Sequence, residues 1–469
     1  MALKGERVIA VISPRSSDGR ETVGARTSDG PTRTGRAKSL PSQARFVTQV
    51  LAAEGFEILN FHAIAISFAG TPEDFERVFG VRPIRRIFPG GRGYQVDGFD
   101  IKPEDAHRLQ TLPAIFQGLA GDLAIARPPR LIDDAGMSLR DVVANDCAVW
   151  SLPDEIAIAT WADGAHAPVV TGRHVVVAQV GTGHFRHRFF SDRDYRVLPT
   201  LLGPGQQHPQ RDDHGQSTGE AACLFSAAPD LKLRPIKGLL DPVGDLLIAI
   251  DSTPNPNLII NSWGYDTHQD GGNDLQHTDP NLYRYLKILD NIIAYAVARG
   301  VIVSALAPKA WKSFPACHPD VVAITPTSRG RVARPVMGGP GANGLYPEKQ
   351  APDLSWDAAK SVRGGLDLIG CTHPVQPGSV LAAPLSMEMG GDEGFAWCDI
   401  DLAAAPLAAA RLALLLEQHP GLSPQNIKDI VLETADALEA RQAEEPKPRI
   451  ETPANDGNIR PKLARERSA

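Results

Sequence analysis

Between residues 42 and 81 the spacing of apolar positions changes period twice. In "SQARFVTQVLAAEG" apolar residues recur every three or four positions, which predicts an amphipathic helix. "FEILNFHAIAISFAG" then alternates as two short strands do, and Thr71, followed by Glu73 and Asp74, opens a second helix as its capping residue with acids in the first turn. Helix, two strands and helix make a small α+β unit of the split βαβ, ferredoxin-like kind. Further along, apolar runs too uniform for one-sided strands recur in "HVVVAQVGTG", "KLRPIKGL", "LIINSWGYD", "VIVSALAP" and "VVAITPT". The helical pattern "YRYLKILDNIIAYAVARG" stands between two of them. Alternation of this sort predicts a parallel sheet with helices on both faces, so the fold class is α/β with a small α+β unit in front.

Polar stretches mark the divisions. Residues 14–42 are rich in Gly, Ser, Thr, Arg and Pro and read as a mobile loop within an N-terminal unit of residues 1–120. A linker comes next at 121–168, marked by "ARPPRLIDD", then the large α/β domain at 169–438 and a charged, Pro-bearing tail at 439–469 that reads as disordered. There is no internal repeat.

Composition narrows the function classes. A chain of 469 residues that is 42% hydrophobic buries a large core, and a net charge of −7 supplies no basic field for nucleic acid or anionic lipid. No apolar run approaches the length of a membrane span. The opening "MALKGERVIAVISPRSSDGRE" lacks the apolar core of a secretory leader, which makes the cytoplasm the expected compartment. Five scattered cysteines (Cys147, Cys223, Cys317, Cys371, Cys398) without a CxxC spacing read as buried reduced thiols, not as a disulfide framework or a zinc site. No cofactor is expected.

On an open parallel sheet, ligands sit beyond the carboxyl ends of the strands, so the residues after each strand matter most. Those residues resemble a known family. "GQSTGEAACLFSAAPDLKLRPIKGL" is similar to the GHGTGESANIFAxAPD segment of subtilisin-like serine peptidases, and "NLIINSWGYD" to their substrate-strand segment. "AWKSFPACHPDVVAITPTS" is similar to the segment after their oxyanion asparagine, and "FAWCDIDLAAAPLAAARLALLLEQHPGLSP" to FSGTSxAAPxxAGxxALxxxxHPxLSP. The resemblance runs from about 170 to 437, and the N-terminal unit looks like the propeptide of that family and of the related sedolisins. It implies a subtilisin-like parallel sheet and a propeptide-type unit that stays attached.

Carried over residue by residue, the resemblance implies lost chemistry. The aspartate of the family's DTG turn falls on Gly181, and the histidine on Gln216, an amide that accepts no proton at neutral pH. A shifted register would place His214 at the histidine position, breaking the match through Phe225, Ala228, Pro229 and Asp230. The oxyanion asparagine falls on Pro308, which has neither a side-chain amide nor a backbone N–H, and the nucleophilic serine on Leu402. Asp399 and Asp401 are read as stabilising the start of the helix beyond them. In enzymes of this kind, loss of triad members costs about a millionfold in rate and loss of an oxyanion donor about a hundredfold or more.

Two substitutes can be considered. Cys398 stands four residues before Leu402 but has no histidine that the sequence places beside it. His184 and His187 have ligand-like spacing near Asp212, Asp213 and His214, although loop histidines without a metal are commoner, and no metal is expected. What the resemblance leaves is recognition: Ser262, Trp263 and Gly264 match the strand that pairs with an extended substrate. The expectation is a pseudoprotease that binds a peptide or protein segment in the old cleft, its own N-terminal unit included, or that regulates or scaffolds an active relative. The alternative is an active serine endopeptidase with rearranged catalytic residues, for which Ser217 is the first nucleophile to test.

Overall fold

The computed structural model of the chain describes residues 7–15, 41–91, 94–132, 149–150, 153, 170–267, 275–307, 313–324, 380–384, 395–399 and 404–431. Most of the 14–42 loop, most of the 121–168 linker and the 439–469 tail lie outside them.

The N-terminal unit is built from β1 (Val8–Pro14), α1 (Pro41–Ala53), β2 (Glu57–Phe61), β3 (Ile66–Gly70) and α2 (Pro72–Phe79), with a hairpin of β4 (Ile84–Gly91) and β5 (Tyr94–Asp100) before β6 (Ala120–Ile125). Its sheet runs β2-β3-β1-β6 with every neighbour antiparallel, the ferredoxin-like arrangement. The predicted start of α2 is realised as a capping box. Thr71 Oγ1 accepts from the Asp74 N–H at 3.2 Å and Asp74 Oδ2 accepts from the Thr71 N–H at 2.9 Å, which holds the Asp74 carboxyl below its usual range. One boundary moves. Residues 121–125 belong to β6, which pairs with β1, so the unit extends through Ile125 and not only to 120.

The large domain carries β9 (Val176–Gly181), β10 (Arg196–Val197), β11 (Leu201–Leu202), β12 (Lys232–Lys237), β13 (Leu258–Asn261), β15 (Ile302–Leu306) and β17 (Val322–Ile324). They form a seven-stranded parallel sheet in the order β10-β12-β9-β13-β15-β17, with β11 also on β12. The helices are α3 (Gln216–Ala227), α4 (Pro242–Ile250), α5 (Pro280–Ala298) and α6 (Ala404–Gln418). Strand residues alternate between two cores, as a sheet covered on both faces requires. Val177, Leu258, Ile260 and Ile302 join α3 and α6, whereas Ala178, Val180, Ile259 and Val303 join α4 and α5. Near the end of α6, Glu417 accepts the backbone N–H groups of Thr171, Gly172 and Arg173 at 2.6–2.9 Å and so fixes the entry to the domain.

The apolar run read as one strand in "LIINSWGYD" is two. β13 ends at Asn261, and β14 (Trp263–Asp266) leaves the parallel sheet for a small antiparallel one with β7 (Arg130–Leu131) and β16 (Ser313–Phe314). A third small sheet joins β8 (Val149–Trp150), β18 (Val380–Pro384) and β19 (Phe395–Asp399).

The two units share a core. In β1, Val8, Ala10 and Ile12 face the unit's own helices, while Ile9 and Val11 face α4 and α5 of the large domain. That second apolar face explains why β1 reads as an unbroken apolar run. Among the described residues no helix is long and apolar enough to cross a membrane.

Candidate functional site

The site lies where β9 ends and α3 begins. Gly215 enters α3 with a left-handed φ of 88° and offers no side-chain cap; the cap is supplied from further back. Asp212 Oδ1 accepts from the Gly215 N–H at 2.8 Å and the Thr182 hydroxyl at 2.6 Å, while Oδ2 accepts from the Thr218 N–H at 2.8 Å and its hydroxyl at 2.7 Å. A carboxylate facing the N-terminus of a helix is favoured by the backbone dipoles, and here it also ties the loop after β9 to α3.

This anchor brings Gly181 and Gln216 into one neighbourhood. Ser217 Oγ accepts the Thr182 N–H at 2.9 Å and fills the space beside Gly181, so that even a methyl group built on Gly181 would overlap it. Gln216 turns its amide inward: Nε2 donates to Glu220 Oε1 at 2.9 Å and to the Ser262 carbonyl at 3.3 Å. Gln179 Nε2 donates to the other oxygen of Glu220 at 2.9 Å and to the Ser217 carbonyl at 3.0 Å. Burial pushes the Glu220 carboxyl up to about 7, against the pull of its amide donors.

His214 stands in the loop before α3, half-buried, with its backbone N–H on Asp212 Oδ1 at 3.2 Å. His184 packs its ring on Phe190 at 4.8 Å, and burial drives it down to about 4 while Asp212 pulls it up. His187 Nδ1 accepts the Phe189 N–H at 3.0 Å and caps a helical turn. The ligand-like spacing thus serves packing and capping; among the described residues no three His, Cys, Asp or Glu side chains are grouped to hold a metal ion.

Leu402 and Pro308 lie outside the described residues, as does Asp401. Asp399 closes β19 opposite Val380, and α6 begins at Ala404, five residues further on. Cys398 is likewise a β19 residue, opposite Leu381. Pro406 lies in the first turn of α6, where its missing N–H breaks no helical bond.

The strand expected to accept a partner is already paired. β14 places Trp263 opposite Leu131 and Gly264 opposite Arg130, and the Ile132 N–H donates to the Ser262 carbonyl at 3.0 Å. Its other end pairs with β16. Trp263 is fully buried and donates from Nε1 to the Val180 carbonyl at 3.0 Å, which makes it a packing residue between β14 and β9. Gly264 leaves no room for a side chain, because Ser313 Oγ and the Phe314 carbonyl close over it. The residues that sequence reasoning missed are Gln179 and Glu220. The signal was present in "TGEAACLFSAA", where one acid stands in a helix otherwise made of small and apolar residues.

No family model and no curated protein matches the chain. Among solved structures, fervidolysin from Fervidobacterium pennivorans, described as a keratinolytic enzyme related to subtilisin, aligns with a TM-score of 0.46 and 13% identity over 92% of this chain. The chain spans 57% of the length of that structure. This protein is an α/β chain with a helix-flanked parallel sheet.

Proposed function

We propose that the chain is a non-hydrolysing relative of subtilisin-like peptidases. Its former substrate strand is held by its own residues 130–132, and a peptide or protein partner engages the cleft by exchanging with that segment. The observation that carries this reading is the arrangement at Gly181 and Gln216. Ser217 occupies the space an aspartate would need, and the Gln216 amide is committed to Glu220 and Ser262, so neither position supplies a base of the triad kind. The pairing of β7 with β14 supports the second half, because main-chain hydrogen bonds add an extended segment without any catalytic residue.

A second reading, an active serine endopeptidase with rearranged residues, is favoured by one observation: Glu220 titrates near neutrality inside the cleft. One experiment separates the two. The full chain is incubated at pH 7 with a fluorophosphonate probe, and intact mass is followed in parallel without it. The first reading expects an unlabelled chain holding its 50.3 kDa mass. One labelled serine, with labelling lost in Glu220→Gln, would establish the second. For exchange, Ile132→Pro removes the N–H that reaches Ser262, and a synthetic peptide copying residues 127–133 is expected to bind that variant more tightly than the wild type.

A further inference from the structure

The segment that lies along β14 begins with a buried arginine held by two acids from different units. Arg127 Nε donates to Asp100 Oδ1 at 3.0 Å and Nη2 to the same oxygen, while Nη2 also meets Asp279 Oδ1 at 2.8 Å and Nη1 meets Asp279 Oδ2. Asp100 closes β5 of the N-terminal unit, and Asp279 is the residue before α5 of the large domain. Both acids are set in place by contacts of their own. The Ile101 N–H reaches Asp100 Oδ1 at 2.8 Å and Arg86 reaches its Oδ2 at 2.8 Å, and Asp279 Oδ1 caps α5 through the Leu282 N–H at 3.1 Å. The guanidinium lies 5.8 Å from the centre of the Phe88 ring, and Tyr265 donates its hydroxyl to the Arg127 carbonyl at 2.7 Å.

The residues that follow are seated as specifically. Pro128 packs over Gly98, where a side chain would meet both it and Phe88. Leu131 and Ile132 are buried on opposite sides of the segment, Leu131 in the core of α4 and α5 and Ile132 in the core of α3 and α6. Arg130 stands opposite Gly264 and is only half-buried. The site thus receives one guanidinium and two apolar side chains at the spacing Arg-x-x-x-Leu-Ile. With Arg127 withdrawn, Arg86 is the one counter-charge left to Asp100 and Asp279 among the described residues. Buried carboxylates stripped of a cation are costly, and an ammonium is a point charge that cannot bridge two acids as a planar fork does.

Given the exchange proposed above, on which this rests, we infer that the partner engaging the cleft is an extended segment of the pattern Arg-x-x-x followed by two apolar residues, its guanidinium bound between Asp100 and Asp279. The N-terminal unit is then half of the recognition site and not merely its cover. A partner with the arginine restores both ion pairs that the departing residues 127–132 break, whereas a partner without it leaves two buried acids unanswered.

Fluorescence anisotropy of labelled peptides tests this, with the full chain carrying Ile132→Pro as receptor. The probes are the copy of residues 127–133 and three altered copies: citrulline, a neutral isostere of arginine, at the first position; lysine at the first position; and citrulline at the fourth. Citrulline at the first position is expected to weaken binding by about tenfold or more, with lysine between the two. At the fourth position, which answers to half-buried Arg130, the change should stay within about twofold. Adding Asp279→Asn to the receptor should narrow the gap between the arginine and citrulline peptides. Equal binding of those two peptides overturns the rule and leaves exchange standing, while no binding by any peptide overturns both. A gap undiminished in Asp279→Asn overturns the rule as well, and so does a loss at the fourth position as large as at the first, which would mark general charge attraction. Arg127→Gln, which vacates the acids, is the receptor if Ile132→Pro does not fold, with the same contrasts expected.

Discussion

The start of α3 and the face where α4 meets the N-terminal unit each place a buried acid beside the start of a helix, and they equip it differently. Beside α3, Asp212 collects N–H and hydroxyl donors from Thr182, His214, Gly215 and Thr218 on its two oxygens. Beside α4, Asp241 has the hydroxyls of Ser67 and Tyr285 and the backbone N–H groups of Val243 and Gly244, whereas its neighbour Asp245 has the Leu239 N–H on one oxygen and, among the described residues, no donor on the other. Donors set against burial decide how such a carboxyl is used: Asp212, well supplied, anchors a loop, whereas Asp245, poorly supplied, is pushed by burial toward its protonated form. Glu220 stands between the two, with an amide on each oxygen and burial still dominant.

The largest expected effect comes from removing the anchor. Asp212→Ala strands the Thr182 and Thr218 hydroxyls and the amides before α3, and should lower stability by about 3–5 kcal/mol in urea unfolding. A loss under about 1 kcal/mol would put Asp212 in the same class as the poorly supplied acids.

Next in size is the intermediate case. Glu220 is raised from an ordinary 4.5 to about 7, so the stability it contributes is full below pH 4.5 and is lost as pH rises through 7. Between pH 5 and pH 8 the wild type should therefore lose about 2–3 kcal/mol at this site, and Glu220→Gln should lose none of it. Parallel unfolding curves for the two proteins at both pH values would show that the amides had already answered the charge.

The smallest effect concerns geometry. Restoring an acid by Gly181→Asp should cost about 1–3 kcal/mol through overlap with Ser217, with recovery in the Gly181→Asp, Ser217→Gly pair and no gain of peptidase activity in either. Thermal unfolding checks the first part, and turnover of a peptide substrate the second.

Much of the fold was legible because local spacing encodes it. The period of "SQARFVTQVLAAEG" fixed α1, the Thr71 cap fixed the start of α2 to the residue, and the apolar runs marked the parallel strands. The positions of Gly181 and Gln216 at a strand end and a helix start were also legible, since both depend on where those elements stop and begin. The break inside "LIINSWGYD" was not, because no local feature of Ser262 reveals that β14 changes sheets to meet β7 and β16.

By itself, then, the sequence determined where several of the helices and strands lie, and that Gly181 and Gln216 stand at a strand end and a helix start. Tertiary structure decided the rest: that the face of β1 carrying Ile9 and Val11 belongs to the large domain, that residues 130–132 lie along Trp263 and Gly264, and that Ser67 meets Asp241. The physical reason is range. A helix or strand announces itself through neighbours two to four residues away, whereas the partner of a buried acid or a strand edge is set by the packing of segments far apart in the chain, which leaves no spacing to read.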